Sequence, residues 1–307
     1  MRIFRELEPS EGTDASAAEQ DGRVRDNLAA IRTIVGFGSA RGGVGKSALA
    51  INTAATLALL GRKVGILDAD LNSPSIVAML GMKTGRRAFT SAEVEPGAGP
   101  LGLRVVSSEF LPEGEPPPVS FVDLDEPSAG VPQNGAHPNE LGFLATMRRL
   151  LGATRFGPLD LLLVDLAPGL EQIYRLLKLV PSAGIVLACH PSELSARSIR
   201  SAIDLALRNS GAMIGVVENM AGFNCDGCHV VRPLMPYGSV GTFVREAAVP
   251  LLERLPFDPR FAETCDRGVI FVREYPDTPL AKQLVALANS IGKSARARFA
   301  VEASPSA

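Results

Sequence analysis

The chain has 307 residues, of which 46% are hydrophobic, enough for one sizeable α/β domain with a large buried core. Its formal net charge of -2 argues against nucleic acid as a main partner. No apolar run approaches the ~18 residues of a membrane span, and the first residues lack the apolar stretch of a signal peptide. We therefore expect a cytoplasmic protein with no nucleic-acid partner and no membrane partner.

The two ends and one internal stretch differ in composition from the rest. Residues 1–28 are rich in Glu, Ser, Ala, Asp and Gly without periodicity, which predicts a disordered leader. The main domain is expected over residues 29–293, with a flexible tail over residues 294–307. Pro, Gly, Ser and Glu dominate residues 85–139, where only residues 101–107 resemble a strand. We expect this stretch to be a mobile excursion from the domain.

A glycine-rich loop lies between an apolar run over residues 33–38, a predicted strand, and an Ala- and Leu-rich helix over residues 48–60. The loop ends in Gly-Lys-Ser, which is typical of a phosphate-binding loop, although Ala40 stands where the strict pattern has glycine. Glycines let successive backbone N–H groups face an anion, Lys46 reaches the outer phosphates, and the Ser47 hydroxyl can bind Mg²⁺. The residues expected around the nucleotide phosphates are Gly42, Gly43, Val44, Gly45, Lys46, Ser47 and Ala48.

Further apolar runs alternate with helical patterns along the chain. A strand with one face in water alternates apolar and polar residues, and these runs do not, which is typical of strands buried on both faces. This predicts a doubly wound, mostly parallel sheet with helices on both faces. In such sheets, ligands bind at the carboxyl ends of the strands. The predicted strands are residues 63–68, 161–165, 184–189 and 213–218, and the clearest helix covers residues 192–209.

Carboxylates follow two of these strands. Asp68 and Asp70 lie on the same side of an extended chain, so they can hold Mg²⁺ through water or orient an attacking water. The same pair can instead form turns or cap the next helix, as Asn72 and Ser73 could. Asp165 follows an apolar run and precedes a Pro-Gly turn, which resembles the Mg²⁺-binding strand end of P-loop nucleotidases.

Cys225 and Cys228 form a CxxC whose sulfurs can bind one metal ion or one edge of a cluster. A tetrahedral zinc site or a cubane cluster takes four ligands, and neither Cys189 nor Cys265 makes a second pair. The missing ligands are expected from a second copy of the chain, which predicts a symmetric dimer. A redox dithiol, an incidental cysteine pair and zinc in place of a cluster stay open, and His229 is interpreted as a surface residue.

In their order along the chain, these pieces resemble the Mrp/ApbC-type iron-sulfur cluster carrier ATPases, which belong to the MinD/ParA group of deviant P-loop proteins. The resemblance runs from residue 33 to residue 292, apart from the proline-rich excursion, and implies a P-loop NTPase fold of the SIMIBI type. The segments that carry it are residues 41–47, 67–76, 164–169, 218–220 with the cysteine pair, and 255–259.

The resemblance implies an ATP-binding homodimer that holds a bridging 4Fe-4S cluster and passes it to apo iron-sulfur proteins. By the same resemblance, Lys46 would bind the phosphates, Ser47 the Mg²⁺, and Asp70 would orient the attacking water. Asp165 would hold the Mg²⁺ through its water ligands, and Asn219 would contact the adenine. The other residues expected to contact cofactors are Asp68 and Pro256 at the nucleotide, and Cys225 and Cys228 at the cluster.

The chain also departs from the family pattern. Arg41 stands where the family has a lysine that crosses the dimer to the partner's nucleotide. A guanidinium can grip phosphate bidentately there, which makes Arg41 a candidate catalytic residue with altered timing of hydrolysis. Residues 166–172 lack the family's Thr and Asp, and residues 119–139 replace a Trp-Arg-Gly-Pro-like segment. Two alternatives therefore stay open: a MinD- or ParA-like spatial-organising ATPase, and a nucleotide-binding regulatory scaffold with weakened hydrolysis.

Overall fold

The computed structural model describes residues 11–83, 94–110, 138–209, 211–224, 227, 230–235 and 239–302. The helices in these ranges are α1 Glu11–Leu28, α2 Lys46–Leu59, α3 Ile76–Met79, α4 Pro138–Ala153, α5 Leu170–Leu179, α6 Glu193–Arg208, α7 Val240–Glu246, α8 Pro259–Asp266, α9 Phe271–Glu274 and α10 Pro279–Glu302. The strands are β1 Ile34–Gly38, β2 Val64–Ala69, β3 Gly97–Ala98, β4 Arg104–Val106, β5 Leu161–Leu166, β6 Gly184–Cys189, β7 Ala212–Glu218, β8 Phe223–Asn224, β9 Val231–Arg232 and β10 Leu251–Arg254.

The main sheet has eight strands in the order β10-β7-β6-β1-β5-β2-β4-β3, and β8 pairs with β9 in a separate antiparallel ribbon. Neighbours in the main sheet are parallel, except that β3 runs antiparallel to β4. Every residue of β1, β2, β5 and β6 is buried, because helices cover both faces. The prediction of a doubly wound, mostly parallel sheet is confirmed.

Two hydrophobic clusters lie on the two faces of the sheet. One contains residues of α2, α3, α8, α9 and α10, and the other contains residues of α1, α4, α5, α6 and α7. Successive β1 side chains alternate between the clusters, with Val35 and Phe37 in the first and Ile34 in the second. Since β1 lies in the middle of the sheet, the loop that leaves its carboxyl end starts from a strand packed on both sides.

The predicted strands correspond to β1, β2, β5, β6 and β7, and β4 lies within the strand predicted over residues 101–107. Helix α6 begins after Ser192, whose hydroxyl accepts a hydrogen bond from the Ser195 N–H at 3.3 Å. Strand β10 was not predicted from the sequence. Its residues are half-buried or exposed, and two of its four positions, Glu253 and Arg254, are charged, so it lacks a strand-like apolar run.

The expectation of a disordered leader over residues 1–28 is wrong for residues 11–28, which form α1. Val24 and Leu28 of this helix are buried in the core cluster that also contains α4. The Asn27 side-chain amide donates to the carbonyls of Leu151 and Thr154, at 2.5 and 2.6 Å. These long-range contacts stabilise a helix whose own sequence has little periodicity. Residues 1–10 lie outside the described ranges.

Helix α10 continues to Glu302, so the expected flexible tail is helical over residues 294–302. These residues extend a helix whose earlier turns are buried in the core. Within the predicted excursion, residues 94–110 contain β3 and β4 and belong to the main sheet. Residues 84–93, 111–137 and 303–307 lie outside the described ranges, so the mobility of the excursion stays a prediction. In the described part of the chain, no helix is both long and apolar enough to cross a membrane.

Candidate nucleotide site and cysteine segment

The glycine-rich loop between β1 and α2 depends on glycine at two positions. Gly43 and Gly45 have φ angles of 76° and 77°, in the left-handed region that side chains disfavour. At Gly45, a Cβ atom would also lie 2.5 Å from the Asn219 side-chain nitrogen, whereas a Cβ at Gly43 would meet nothing within 4 Å. No side chain caps the start of α2, and its first turn contains no acidic residue. The first N–H groups of α2 are therefore suited to an anionic ligand.

Lys46 and Asp165 form a buried ion pair at the start of α2, with 2.5 Å between Nζ and Oδ1. The Lys46 ammonium also lies 3.3 Å from the Ser47 hydroxyl oxygen. Burial raises the pKa of Asp165, while the Lys46 charge and hydrogen bonds from Lys46 and Ser47 lower it. Oδ2 of Asp165 is buried and has no hydrogen-bond partner in the described structure. An unsatisfied carboxylate oxygen beside a serine hydroxyl fits Mg²⁺ and its bound water.

Asp68 has a clear structural role. It is fully buried, and strand pairing places it beside Asp165. One carboxylate oxygen accepts from the Asp70 N–H at 3.2 Å, and the other accepts from the N–H groups of Ser75 and Ile76 at 2.8 and 3.0 Å. Burial, and then the charge of Asp165, raise the pKa of Asp68 to about 7, although these hydrogen bonds oppose the shift. The geometry is that of the turn-and-cap alternative, and contact with nucleotide stays a prediction.

Asp70 lies closer to solvent than Asp68. It is half-buried, and its Oδ1 accepts a hydrogen bond from the Ser73 N–H at 3.2 Å. The charge of Asp70 also raises the pKa of Asp165, so the two carboxylates lie within electrostatic reach of each other. The partly exposed position at the carboxyl end of β2 is suited to orienting a water molecule at this edge of the sheet.

Asn219 contacts the phosphate loop directly. Its side chain is 2% exposed and donates a hydrogen bond to the Val44 carbonyl at 2.9 Å. Its backbone N–H donates to the Cys189 carbonyl at 2.8 Å. Pro256 lies one residue after Leu255, which donates to the Glu218 carbonyl at 2.8 Å. The structure therefore places Asn219 beside the loop and Pro256 on the segment that is hydrogen-bonded to the end of β7, while adenine contact by either residue stays a prediction.

Arg41 lies on the exposed side of the loop. Its side chain is exposed, and its Nε donates to the Ser198 hydroxyl of α6 at 3.4 Å. Gly42 is also exposed, whereas Val44 and Ala48 are buried in the core. The position of Arg41 is compatible with a ligand outside its own subunit, and that role stays a prediction.

Cys225, Cys228 and His229 lie outside the described residues. Strands β8 and β9, which precede and follow them, pair antiparallel, and Gly227 between the cysteines is exposed. Cys189 and Cys265 are buried free cysteines, and burial raises both thiol pKa values, that of Cys265 to about 11. Such thiols are poor metal ligands. Among the described residues, no group of three or more His, Cys, Asp or Glu side chains could hold a metal ion.

Some contacts around this edge were not anticipated from the sequence. Glu218 is 1% exposed and forms an ion pair with Arg254 on the neighbouring strand. The Ser39 carbonyl accepts from the Gly169 N–H at 2.8 Å, which connects the loop to the segment after β5. Glu193 accepts hydrogen bonds from Ser239, at the start of α7. The Glu-Asn-Met motif, which begins at the last residue of β7, points to Glu218, but no local pattern identifies the other contacts.

A family model described as ParA, NUBPL iron-transfer P-loop NTPase matches residues 30–122 and 142–292. The chain belongs to this family. An iron-sulfur cluster carrier protein of Saccharolobus solfataricus is 32% identical over 275 residues, which cover 89% of this chain and 87% of the relative. The human cytosolic Fe-S cluster assembly factor NUBP2 is 31% identical over 269 residues, which cover 86% of this chain and 94% of the relative.

Solved structures place the fold in the same group. A nucleotide-binding protein of Archaeoglobus fulgidus, solved in complex with ADP, has a TM-score of 0.69 and 29% identity, over 85% of this chain and 95% of that one. The cell division ATPase MinD of Pyrococcus furiosus has a TM-score of 0.59 at 19% identity, over 85% of this chain and 99% of that one, which shows the shared fold alone. These comparisons confirm the family resemblance and the P-loop NTPase fold predicted from the sequence.

Proposed function

We propose that this protein is an ATP-binding and ATP-hydrolysing iron-sulfur cluster carrier of the cytoplasm. Two copies would hold a 4Fe-4S cluster through Cys225 and Cys228 and transfer it to apo iron-sulfur proteins. The observation that carries the proposal is the position of the CxxC. It follows Asn219, whose side chain is hydrogen-bonded to the phosphate loop, so the nucleotide site and the cysteine pair share one short segment.

The nucleotide half of the proposal rests on the buried edge of the sheet. Lys46 and the first N–H groups of α2 would bind the phosphates, and the Ser47 hydroxyl and Asp165 would hold Mg²⁺ directly or through water. Mg²⁺ would neutralise charge on the outer phosphates. Lys46 is already held at the loop by Asp165, so little reordering of its side chain is needed when phosphate binds.

The protein would promote hydrolysis mainly by positioning the reacting groups and stabilising charge, with little covalent chemistry of its own. Asp70 would orient the attacking water, and Arg41 of the opposing copy would stabilise charge on the phosphates. Arg41 already lies on the exposed side of the loop, where a second copy could approach. We expect slow turnover, because the segment after Asp165 lacks the Thr and Asp of the family switch.

The cluster half of the proposal rests on ligand number. A cubane cluster takes four ligands, and the chain has four cysteines, of which Cys189 and Cys265 are buried in the core. Cys225 and Cys228 therefore supply two thiolates per copy, and a homodimer completes the set. This is the reason to propose a bridging cluster rather than one held by a single chain.

Anaerobic purification followed by iron and sulfide analysis tests this function. We expect a brown protein whose iron and sulfide are lost when Cys225 and Cys228 are both changed to Ala, while ATP binding persists. Cys265→Ala is the matched control, since it removes a buried thiol and should keep the iron. Retained iron in the double variant, or a colourless protein that holds only zinc, would contradict the carrier. ATP binding without any turnover would instead support a regulatory scaffold.

A further inference from the structure

The last residues of β7 and β10 lie side by side at the carboxyl ends of these two strands. In the register of the parallel pair, Arg254 is opposite Glu218, and the two side chains form an ion pair. A residue predicted to contact nucleotide follows each strand, Asn219 directly after β7 and Pro256 two residues after β10. The ion pair therefore lies immediately before both predicted contacts.

Glu218 depends on Arg254 because it has almost no contact with water. The Glu218 side chain is 1% exposed, whereas that of Arg254 is 51% exposed. The Arg254 Nε donates a hydrogen bond to Oε2 of Glu218. A buried carboxylate that loses its partner is strongly destabilised, so Arg254 restricts where the Glu218 side chain can lie.

Strand β10 needs such a restraint, because its own pairing with β7 is irregular. It is a four-residue edge strand of the described sheet, and its register with β7 shifts inside the strand. Regular backbone bonds follow the ion pair. The Leu255 N–H donates to the Glu218 carbonyl at 2.8 Å, and the Ala221 N–H donates to the Leu255 carbonyl at 2.8 Å. The contact between Arg254 and Glu218 therefore fixes the register in which these bonds form.

Asn219 connects the end of β7 to the phosphate loop. Its backbone N–H donates to the Cys189 carbonyl at 2.8 Å, and its side-chain nitrogen donates to the Val44 carbonyl at 2.9 Å. A Cβ atom at Gly45 would lie only 2.5 Å from that nitrogen, so the amide is closely packed against the loop. Because the nitrogen is occupied, the side-chain oxygen is the atom that can accept from a ligand. Adenine offers an amino donor where guanine has a carbonyl oxygen.

We propose that Arg254 is a positioning residue that acts through Glu218 to hold Asn219 where it selects adenine. This inference rests on the proposed function and on the predicted contact between Asn219 and adenine. Arg254 holds the end of β7 in register, and the Asn219 nitrogen then meets the Val44 carbonyl and leaves its oxygen for the base. Loss of Arg254 should therefore weaken the binding of adenine nucleotides more than that of guanine nucleotides.

The nucleotide selectivity of the full chain tests this role. ADP and GDP are titrated separately into the protein in the presence of Mg²⁺, and each dissociation constant is measured by calorimetry. In the natural chain, we expect ADP to bind at least about tenfold more tightly than GDP, because a guanine carbonyl leaves the Asn219 oxygen unpaired. Arg254→Met should lower the affinity for ADP about tenfold and change that for GDP by less than about twofold. Arg254→Lys keeps a cationic donor for Glu218, so its selectivity should stay within about threefold of the natural value.

Two further variants separate positioning from a loss of stability. Glu218→Gln combined with Arg254→Met leaves no buried charge unpaired, so this double variant should fold even if Arg254→Met does not. It should also lose the preference for ADP, because no ion pair holds the end of β7. Arg267→Met is the matched control, since Arg267 is 44% exposed and its partners, Glu263 and Glu274, are exposed as well. The control should keep the natural selectivity.

Natural selectivity in either Arg254→Met or the double variant would overturn the inference, and so would equal affinities of the natural chain for ADP and GDP. An equal loss of both affinities in Arg254→Met would overturn it too, because a purely structural role gives that result. The proposed function fails by a different outcome, in which the natural chain binds neither nucleotide.

Discussion

Different kinds of interaction hold two regions of the molecule to the core. One region is the edge of the sheet formed by the carboxyl ends of the strands, where the candidate nucleotide site lies, and the other is the amino-terminal helix α1. At the edge, Lys46 and Asp165 bury opposite charges, and Asp68 is buried beside them. At α1, two apolar side chains and the Asn27 amide pack against α4. A buried ion pair is weak support for stability, whereas apolar packing and capping give stability directly. We infer that the edge retains its charges to bind a charged ligand, and that α1 supports the fold.

The largest expected effect is at the ion pair. Asp165→Ala leaves the Lys46 ammonium buried without its partner, so the free energy of unfolding should fall by about 3–5 kcal/mol in urea denaturation. Replacing both groups together, as Lys46→Met with Asp165→Leu, should cost less than either single change while abolishing ATP binding. If Asp165→Ala were as stable as the natural chain, the contrast between the two regions would be lost.

The second expected effect is a pH dependence from Asp68. Its pKa rises from an ordinary value of 3.8 to about 7 in the folded protein, mainly through burial. The folded state therefore binds more protons than the unfolded state between these values, and its stability falls as the pH rises through them, by at most about 1.4 kcal/mol per pH unit. Asp68→Asn should remove this contribution, which urea denaturation of both proteins over the range would measure. Parallel pH profiles would contradict it.

The third expected effect compares two glycines of the loop. Gly43→Ala meets no neighbour, so its left-handed backbone alone should cost about 1–2 kcal/mol. Gly45→Ala adds a clash with the Asn219 side-chain nitrogen at 2.5 Å and should cost at least about 1 kcal/mol more. Thermal unfolding of the two variants gives this difference. Equal losses would mean that Asn219 does not pack against the loop.

The smallest expected effect is at α1. Asn27→Ala removes the amide that bonds the Leu151 and Thr154 carbonyls, so stability should fall by about 1–2 kcal/mol with no change in ATP affinity. Arg23→Ala, which breaks an exposed pair with Glu19 on the same helix, is the control and should cost less than about 0.5 kcal/mol. Weakened ATP binding in Asn27→Ala would show that α1 serves the site as well as the fold.

What the sequence can predict follows the same division. The central strands were predictable because both their faces are apolar, and the loop was predictable because its chemistry lies in consecutive residues ending at Ser47. Helix α1 was not, since its stability comes from α4, far along the chain. The capping role of Asp68 and the contact between Glu193 and Ser239 also depend on which segments the fold brings together. The geometry of Cys225 and Cys228 remains a prediction.

The edges of the main sheet bear on how copies of this protein can associate. Among the described residues, one edge is the two-residue strand β3, and the other is β10, whose second half is the charged pair Glu253 and Arg254. Short or charged edge strands offer little template for backbone pairing between molecules and so limit aggregation through strand addition. We therefore expect a stable assembly of two chains to use helices and loops rather than these two edge strands. The surface formed by the carboxyl ends of the strands, where Arg41 is exposed, is the place to look for such an assembly.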